Sequence, residues 1–102
     1  MELHQLRYFC AVARTKNFTR AAQQENVAQP SLSQQILKLE DELGARLFDR
    51  LPRSARLTQF GEAFLPRARD ILRQLAEAKE QIQEMAGAEK GRVTLGSSPP
   101  SS

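Results

Sequence analysis

A chain of 102 residues, 40% hydrophobic and 26% charged, has room for one small folded domain and an appendage, which excludes a multidomain enzyme. One cysteine, Cys10, and one histidine, His4, exclude a disulfide framework and a zinc site built within a single chain. The net charge of +3 is unevenly placed: residues 1–60 hold nine Lys/Arg against six Asp/Glu, and residues 61–102 hold six of each. Any attraction to an acidic partner therefore belongs to the first 60 residues.

Trp is absent, so the core must be built from Leu, Ile, Ala and Phe. A core of this size is modest, and small domains often gain stability by pairing. The amino terminus, "MELHQLRYFCAVART", has an apolar pattern interrupted by His4, Gln5 and Arg7, unlike a secretory signal. No run reaches the roughly 18 apolar residues that span a membrane. A cytoplasmic protein is predicted.

Leu3, Leu6, Phe9, Cys10 and Ala13 recur at helical spacing and predict a first helix over residues 2–14. Cys10 falls on its core side and His4 on its surface. Asn17 is placed to cap a short second helix from Phe18 to about Gln24, since its side-chain oxygen can accept from an unpaired first-turn N–H. A third helix starts near Gln29, with Pro30 in its first turn, and Gly44 suits its carboxyl-terminal cap. Leu32, Ile36, Leu39 and Leu43 form its apolar stripe. The opposite face carries Pro30, Gln34 and Asp41, flanked by Ser31, Ser33 and Lys38.

After Gly44, "ARLFDR" and "ARLT" are short β-compatible runs joined by "LPRS", which predicts a small hairpin carrying Arg50, Arg53 and Arg56. Thr58 then caps a long helix reaching about Ala86. Its apolar positions Phe64, Ala68, Ile71, Leu75, Ala78, Ile82 and Met85 step by four and three throughout, a heptad seam. A helix of about 28 residues is roughly 42 Å long, too long for so small a domain to cover, so self-association is predicted. Pro66 should kink this helix or loosen its start. Gly87 and Gly91 are expected to end it, "RVTLG" suits one strand, and "SSPPSS" is low complexity.

Three short helices followed by a basic hairpin describe a winged helix-turn-helix, in which the third helix enters the major groove amino end first. That geometry explains why Gln29 to Gln35 carries no charge in a basic chain. Gln34 offers a donor and an acceptor together to adenine, Ser31 and Ser33 serve either role, and Pro30 presents an apolar edge to a thymine methyl. Thr19 and Arg20, in the first turn of helix two, are suited to a phosphate. Arg53 at the hairpin tip is suited to a minor groove. Glu40, Asp41 and Glu42 would be repelled by phosphates and should point away from the duplex.

Singly, each feature has a plainer reading. The Ser and Gln residues also suit an ordinary solvated face, hairpin arginines protect a sheet edge, and Lys38 could pair with Glu42. Only the joint arrangement is specific. Catalysis is not supported: no glycine-rich phosphate loop appears, and His4 has no nucleophile identifiable near it. No motif calls for a cofactor.

"LRYFCAVARTKNFTRAA", "AQPSLSQQILKLEDELGARLFDR" and "RLTQFGEAFL" resemble, in order and spacing, the amino-terminal DNA-binding domain of LysR-type transcriptional regulators. The resemblance covers roughly residues 1–90. It implies a mainly helical fold: a winged helix-turn-helix over 1–58 (helix-turn-helix about 18–37, wing about 46–57), a dimerising linker helix over 59–87, and a tail over 88–102. It also implies a homodimer on dyad-related half-sites of double-stranded DNA. The family's contacts carry over to Thr19, Gln29, Pro30, Ser31, Ser33, Gln34, Arg50 and Arg53; Arg20, Lys38 and Arg56 join them from the reading above. Three positions depart from the family pattern: Gln34 where Arg is frequent, Glu25 where Leu is frequent, and Leu37 where a basic residue is frequent.

Full members continue into an effector-binding domain, whose first strand "GRVTLG" resembles. The resemblance therefore implies a fragment that dimerises and binds DNA without sensing a small-molecule effector. The alternative from another class is a coiled-coil adaptor whose basic domain binds an acidic protein.

Overall fold

Local signals place the first three helices. A computed structural model of the chain describes residues 1–94, and the side chains of residues 1–88. In it α1 spans Leu3–Thr15, α2 Phe18–Glu25 and α3 Gln29–Leu43. Helix α1 ends as Lys16 turns into the left-handed region at φ 58°, its N–H bonding the Val12 carbonyl. Asn17 then caps α2, its side-chain oxygen accepting from the Arg20 N–H at 2.8 Å. Asn26 closes α2 at φ 58°, a conformation Asn tolerates because its short polar side chain bonds locally. Pro30 sits in the first turn of α3, and Gly44 ends that helix at φ 73°.

Two strands follow, β1 (Phe48–Leu51) and β2 (Ser54–Leu57), paired antiparallel with Phe48 opposite Leu57 and Leu51 opposite Ser54. This leaves Pro52 and Arg53 as the two-residue tip of the wing. The hairpin is tied in at two points, one near its tip and one at its base. The Ala55 N–H donates to the Lys16 carbonyl at 2.9 Å, and the Thr58 N–H donates to the Leu47 carbonyl at 2.9 Å.

Phe9, Leu32, Ile36, Leu39, Leu47 and Phe48 are fully buried, so the stripes of α1 and α3 close on the start of the wing. Leu43, the last member of the α3 stripe, is exposed. Aromatic rings run through this core: Phe18 meets Phe48, Phe48 meets Phe9, and Phe9 meets Phe64, with centroids 5.7, 5.3 and 5.2 Å apart. Tilted and edge-on pairs of this kind add to the burial of each ring.

Helix α4 spans Gln59–Thr94, 36 residues. Thr58 caps it as the spacing predicts, its hydroxyl accepting from the Gly61 N–H at 3.1 Å. The carboxyl end differs from the sequence expectation. The helix passes through Gly87 and Gly91, and Arg92, Val93 and Thr94 continue it instead of forming a strand. A helical glycine costs only about 1 kcal/mol relative to alanine, whereas a strand needs a paired edge, and the two-stranded wing is the one sheet among the described residues. Leu95, Gly96 and "SSPPSS" lie outside the described residues. Pro66 lies inside α4 and does not end it; its missing N–H removes one bond, to the Glu62 carbonyl.

Residues 1–72 make one compact unit, and a second begins at Arg73. The first unit takes in the opening turns of α4: Ala68 is fully buried in its core, and Phe64, Leu65 and Leu72 pack against that core. No described helix is long and apolar enough to cross a membrane.

Candidate nucleic-acid interface

The amino-terminal half of α3 stands on the buried side chains of Leu32 and Ile36 and turns its other side outward. Pro30, Ser31, Gln34 and Lys38 are exposed, while Gln29 and Ser33 are half-buried. The last two engage each other one helical turn apart, the Gln29 amide donating to the Ser33 hydroxyl at 2.6 Å. Their side chains are thus oriented, whereas the exposed Gln34 amide makes no side-chain hydrogen bond among the described residues.

Three elements converge beside this face. A crevice of about 280 Å³ is lined by Thr19 from α2, Gln29 from α3, and Pro52 and Arg53 from the wing tip. Thr19 and Arg20 are exposed on the first turn of α2, where backbone N–H groups lack helical partners. Arg20, Lys38, Arg53 and Arg56 enter no ion pair among the described residues.

Arg50 is different. Its guanidinium lies 4.9 Å from the Phe18 ring centroid and 3.7 Å from the Glu40 carboxylate. A cation held over an aromatic face and beside a carboxylate is fixed in place.

Glu40 differs from its acidic neighbours in burial. Asp41 and Glu42 are exposed, but Glu40 is only 4% exposed and faces the base of the wing. Its Oε2 accepts from the Leu47 N–H at 2.8 Å and the Phe48 N–H at 3.2 Å. Two hydrogen bonds to a charged acceptor offset the burial of the carboxylate. Lys38 has no partner in Glu42, which pairs with the Met1 ammonium at 2.8 Å.

Polar contacts missed in the sequence hold α1 against α3. The Gln35 side-chain oxygen Oε1 accepts from the buried Gln5 side-chain amide at 3.0 Å and lies 3.1 Å from His4 Nε2. His4 is accordingly half-buried and not a plain surface residue. Glu25, at a position where the family favours Leu, pairs with Arg7 of α1 at 3.4 Å. Cys10 is buried as expected, and burial pushes its thiol above the ordinary range. Leu37, where a basic residue is frequent, is half-exposed.

The heptad positions divide. Phe64 and Ala68 pack in the core of the first unit, whereas Ile71, Leu75, Ile82 and Met85 are 43%, 40%, 62% and 58% exposed. Ala78 is exposed as well. A soluble helix seldom carries so regular an apolar series in water without a partner.

Residues 3–62 match the family model described as the bacterial regulatory helix-turn-helix protein, lysR family. The chain is 48% identical over 96 residues to the HTH-type transcriptional regulator BudR of Klebsiella aerogenes, covering 94% of this chain and 67% of that one. It is 43% identical to the uncharacterized HTH-type transcriptional regulator YybE of Bacillus subtilis, again over 94% of this chain but 33% of the relative, so it spans about a third of that protein. Among solved structures, the DNA complex of the CbnR DNA-binding domain is similar at a TM-score of 0.79 and 40% identity, covering 84% of this chain and 99% of that one. The BenM DNA-binding domain on catB site 1 DNA is similar at a TM-score of 0.81 and 40% identity, covering 84% and 97%. None of these relatives supports the adaptor reading. The winged helix-turn-helix and the match over residues 3–62 lead to one conclusion: the chain belongs to the LysR family of bacterial helix-turn-helix regulatory proteins.

Proposed function

We propose that this chain is the sequence-specific, homodimeric DNA-binding module of a cytoplasmic LysR-type transcriptional regulator. The single observation that carries the proposal is the meeting of Thr19, Gln29 and Arg53, which has no ion pair among the described residues, around one crevice beside the uncharged outer face at the start of α3. The DNA complexes of the similar CbnR and BenM domains support it.

In this reading α3 enters the major groove. Gln34 pairs its amide with adenine, Ser31 and Ser33 contact base edges, and Pro30 meets a thymine methyl. Gln29 orients Ser33 and borders the groove. Thr19, Arg20, Lys38, Arg50 and Arg56 hold phosphates, and Arg53 enters the minor groove. Residues 1–58 form the reading domain and 59–87 the linker that pairs two copies on dyad-related half-sites. The exposed series Ile71, Leu75, Ala78, Ile82 and Met85 supplies the seam, with Phe64 and Ala68 anchoring it from inside the winged domain. An effector would bind only in a carboxyl-terminal domain of the whole regulator.

The test is binding to the intergenic DNA beside the chain's own gene against a scrambled duplex, at several salt concentrations. A preference that survives rising salt is expected, because only base readout persists when counterion release weakens phosphate attraction. Gln34→Ala should reduce discrimination by about 1–3 kcal/mol at one base pair, and Arg53→Ala should weaken binding most where the minor groove it enters is narrow and A·T-rich. Equal binding of both duplexes by the parent chain would overturn the reading.

A further inference from the structure

Glu40 joins three elements that DNA must meet together. It belongs to the recognition helix, its Oε2 takes the N–H groups of Leu47 and Phe48 at the base of the wing, and its Oε1 faces two arginines. Arg50 Nη2 is 3.7 Å and Arg46 Nε 3.9 Å from Oε1, an oxygen that has no hydrogen-bond partner of its own. Arg50 continues the connection, since its guanidinium lies over Phe18, the first residue of α2.

A carboxylate that is 4% exposed and only half satisfied is a poor device for stability alone. An apolar side chain with the wing amides paired elsewhere would avoid its desolvation. The charge does something an apolar group cannot: it orients two guanidiniums and two amides at once. We propose that Glu40 is a positioning residue for DNA binding, whose buried carboxylate sets the wing and Arg50 against the recognition helix so that Arg53 and the α3 reading face engage one duplex in register. The inference rests on the DNA-reading function proposed above.

Glu40→Gln separates the two roles. Its amide oxygen still accepts from Leu47 and Phe48, but its NH2 group faces Arg46 and Arg50 and offers them no anion. The experiment is a double-mutant cycle in the full chain, with Glu40→Gln, Arg53→Ala and the combined variant. Affinity is measured for the intergenic and scrambled duplexes, and stability by urea unfolding. Arg53 enters no ion pair among the described residues, so no direct charge contact links the two positions in the free protein.

Glu40→Gln should weaken intergenic binding by about tenfold, and Arg53→Ala should then weaken the combined variant far less than it weakens the parent. The stabilities should add without coupling. Independent, multiplying effects on affinity, or parental binding by Glu40→Gln, would overturn the proposal. If circular dichroism shows Glu40→Gln unfolded, Glu40→Asp takes its place, keeping the charge but withdrawing it from the wing amides, with the same two outcomes. A parent that does not distinguish the two duplexes would sink the function reading and this inference together; a parent that does, with uncoupled variants, would sink this inference alone.

Discussion

Gly61→Ala should destabilise the protein, although the same change usually strengthens a helix. Gly61 is buried in the first turn of α4, and a Cβ there would lie 2.2 Å from the Leu47 carbonyl oxygen and 2.7 Å from Leu57 Cδ2. To restore ordinary contact the carbonyl must retreat by roughly 1 Å, and that backbone is not free to move. The Leu47 carbonyl accepts the Thr58 N–H at 2.9 Å, and its own N–H is held by Glu40. Overpacking of this kind costs about 1–3 kcal/mol, and a weakened hydrogen bond adds about 0.5–1.5 kcal/mol. Helix propensity returns at most about 1 kcal/mol. The steric effect wins, for a net loss of about 1–3 kcal/mol. For a domain of this size that lowers the midpoint of thermal unfolding by about 5–20 °C. Gly87 is the control: a Cβ there meets nothing within 4 Å, so Gly87→Ala should raise helicity without penalty. Both variants are compared with the parent by circular dichroism at one protomer concentration, because pairing makes apparent stability concentration-dependent. A Gly61→Ala protein as stable as the parent would refute the close approach of α4 to the wing.

Three further outcomes follow from the same contacts. Ile71→Asp with Leu75→Asp places two charges in the exposed seam and should yield monomers in sedimentation, with DNA binding much weakened; an unchanged mass would put dimerisation elsewhere. Asn17→Ala removes the acceptor for the Arg20 N–H and should cost about 1 kcal/mol in urea unfolding, with no loss showing that the cap is dispensable. Burial raises the Cys10 thiol above its unfolded value, so its contribution to stability is full below the unfolded pKa and is lost as pH climbs through the folded one. Unfolding midpoints of the parent and Cys10→Ala should therefore converge in the alkaline range, and parallel curves there would contradict the assignment.

Local chemistry made much of this protein legible in its residues. The steps of three and four in α1, α3 and α4, the caps at Asn17, Thr58 and Gly44, and the break in period at the wing are all encoded within a few residues of where they act. An uncharged outer face on α3 was equally visible, since the 3.6-residue period alone assigns it.

What sequence could not decide depends on chain segments that meet only after folding. Glu40 stands in one run with the exposed Asp41 and Glu42, and nothing in that run shows that the Leu47 and Phe48 amides return to it and that it is buried. Phe64 and Ala68 continue the heptad spacing of Ile71 and Leu75 without interruption, yet Phe9 and its neighbours draw them into the core of the first unit. Periodicity names an apolar face but not what covers it. Arg50 and Arg53 likewise read alike three residues apart, and only the placement of Phe18 and Glu40 fixes the first and leaves the second, at the wing tip, with no ion pair among the described residues. The sequence by itself determined the elements, their ends and their faces, because those forces act over one or two helical turns. Tertiary structure decided which charges are held and which are available, because a side chain's partners are set by distances that spacing along the chain does not contain.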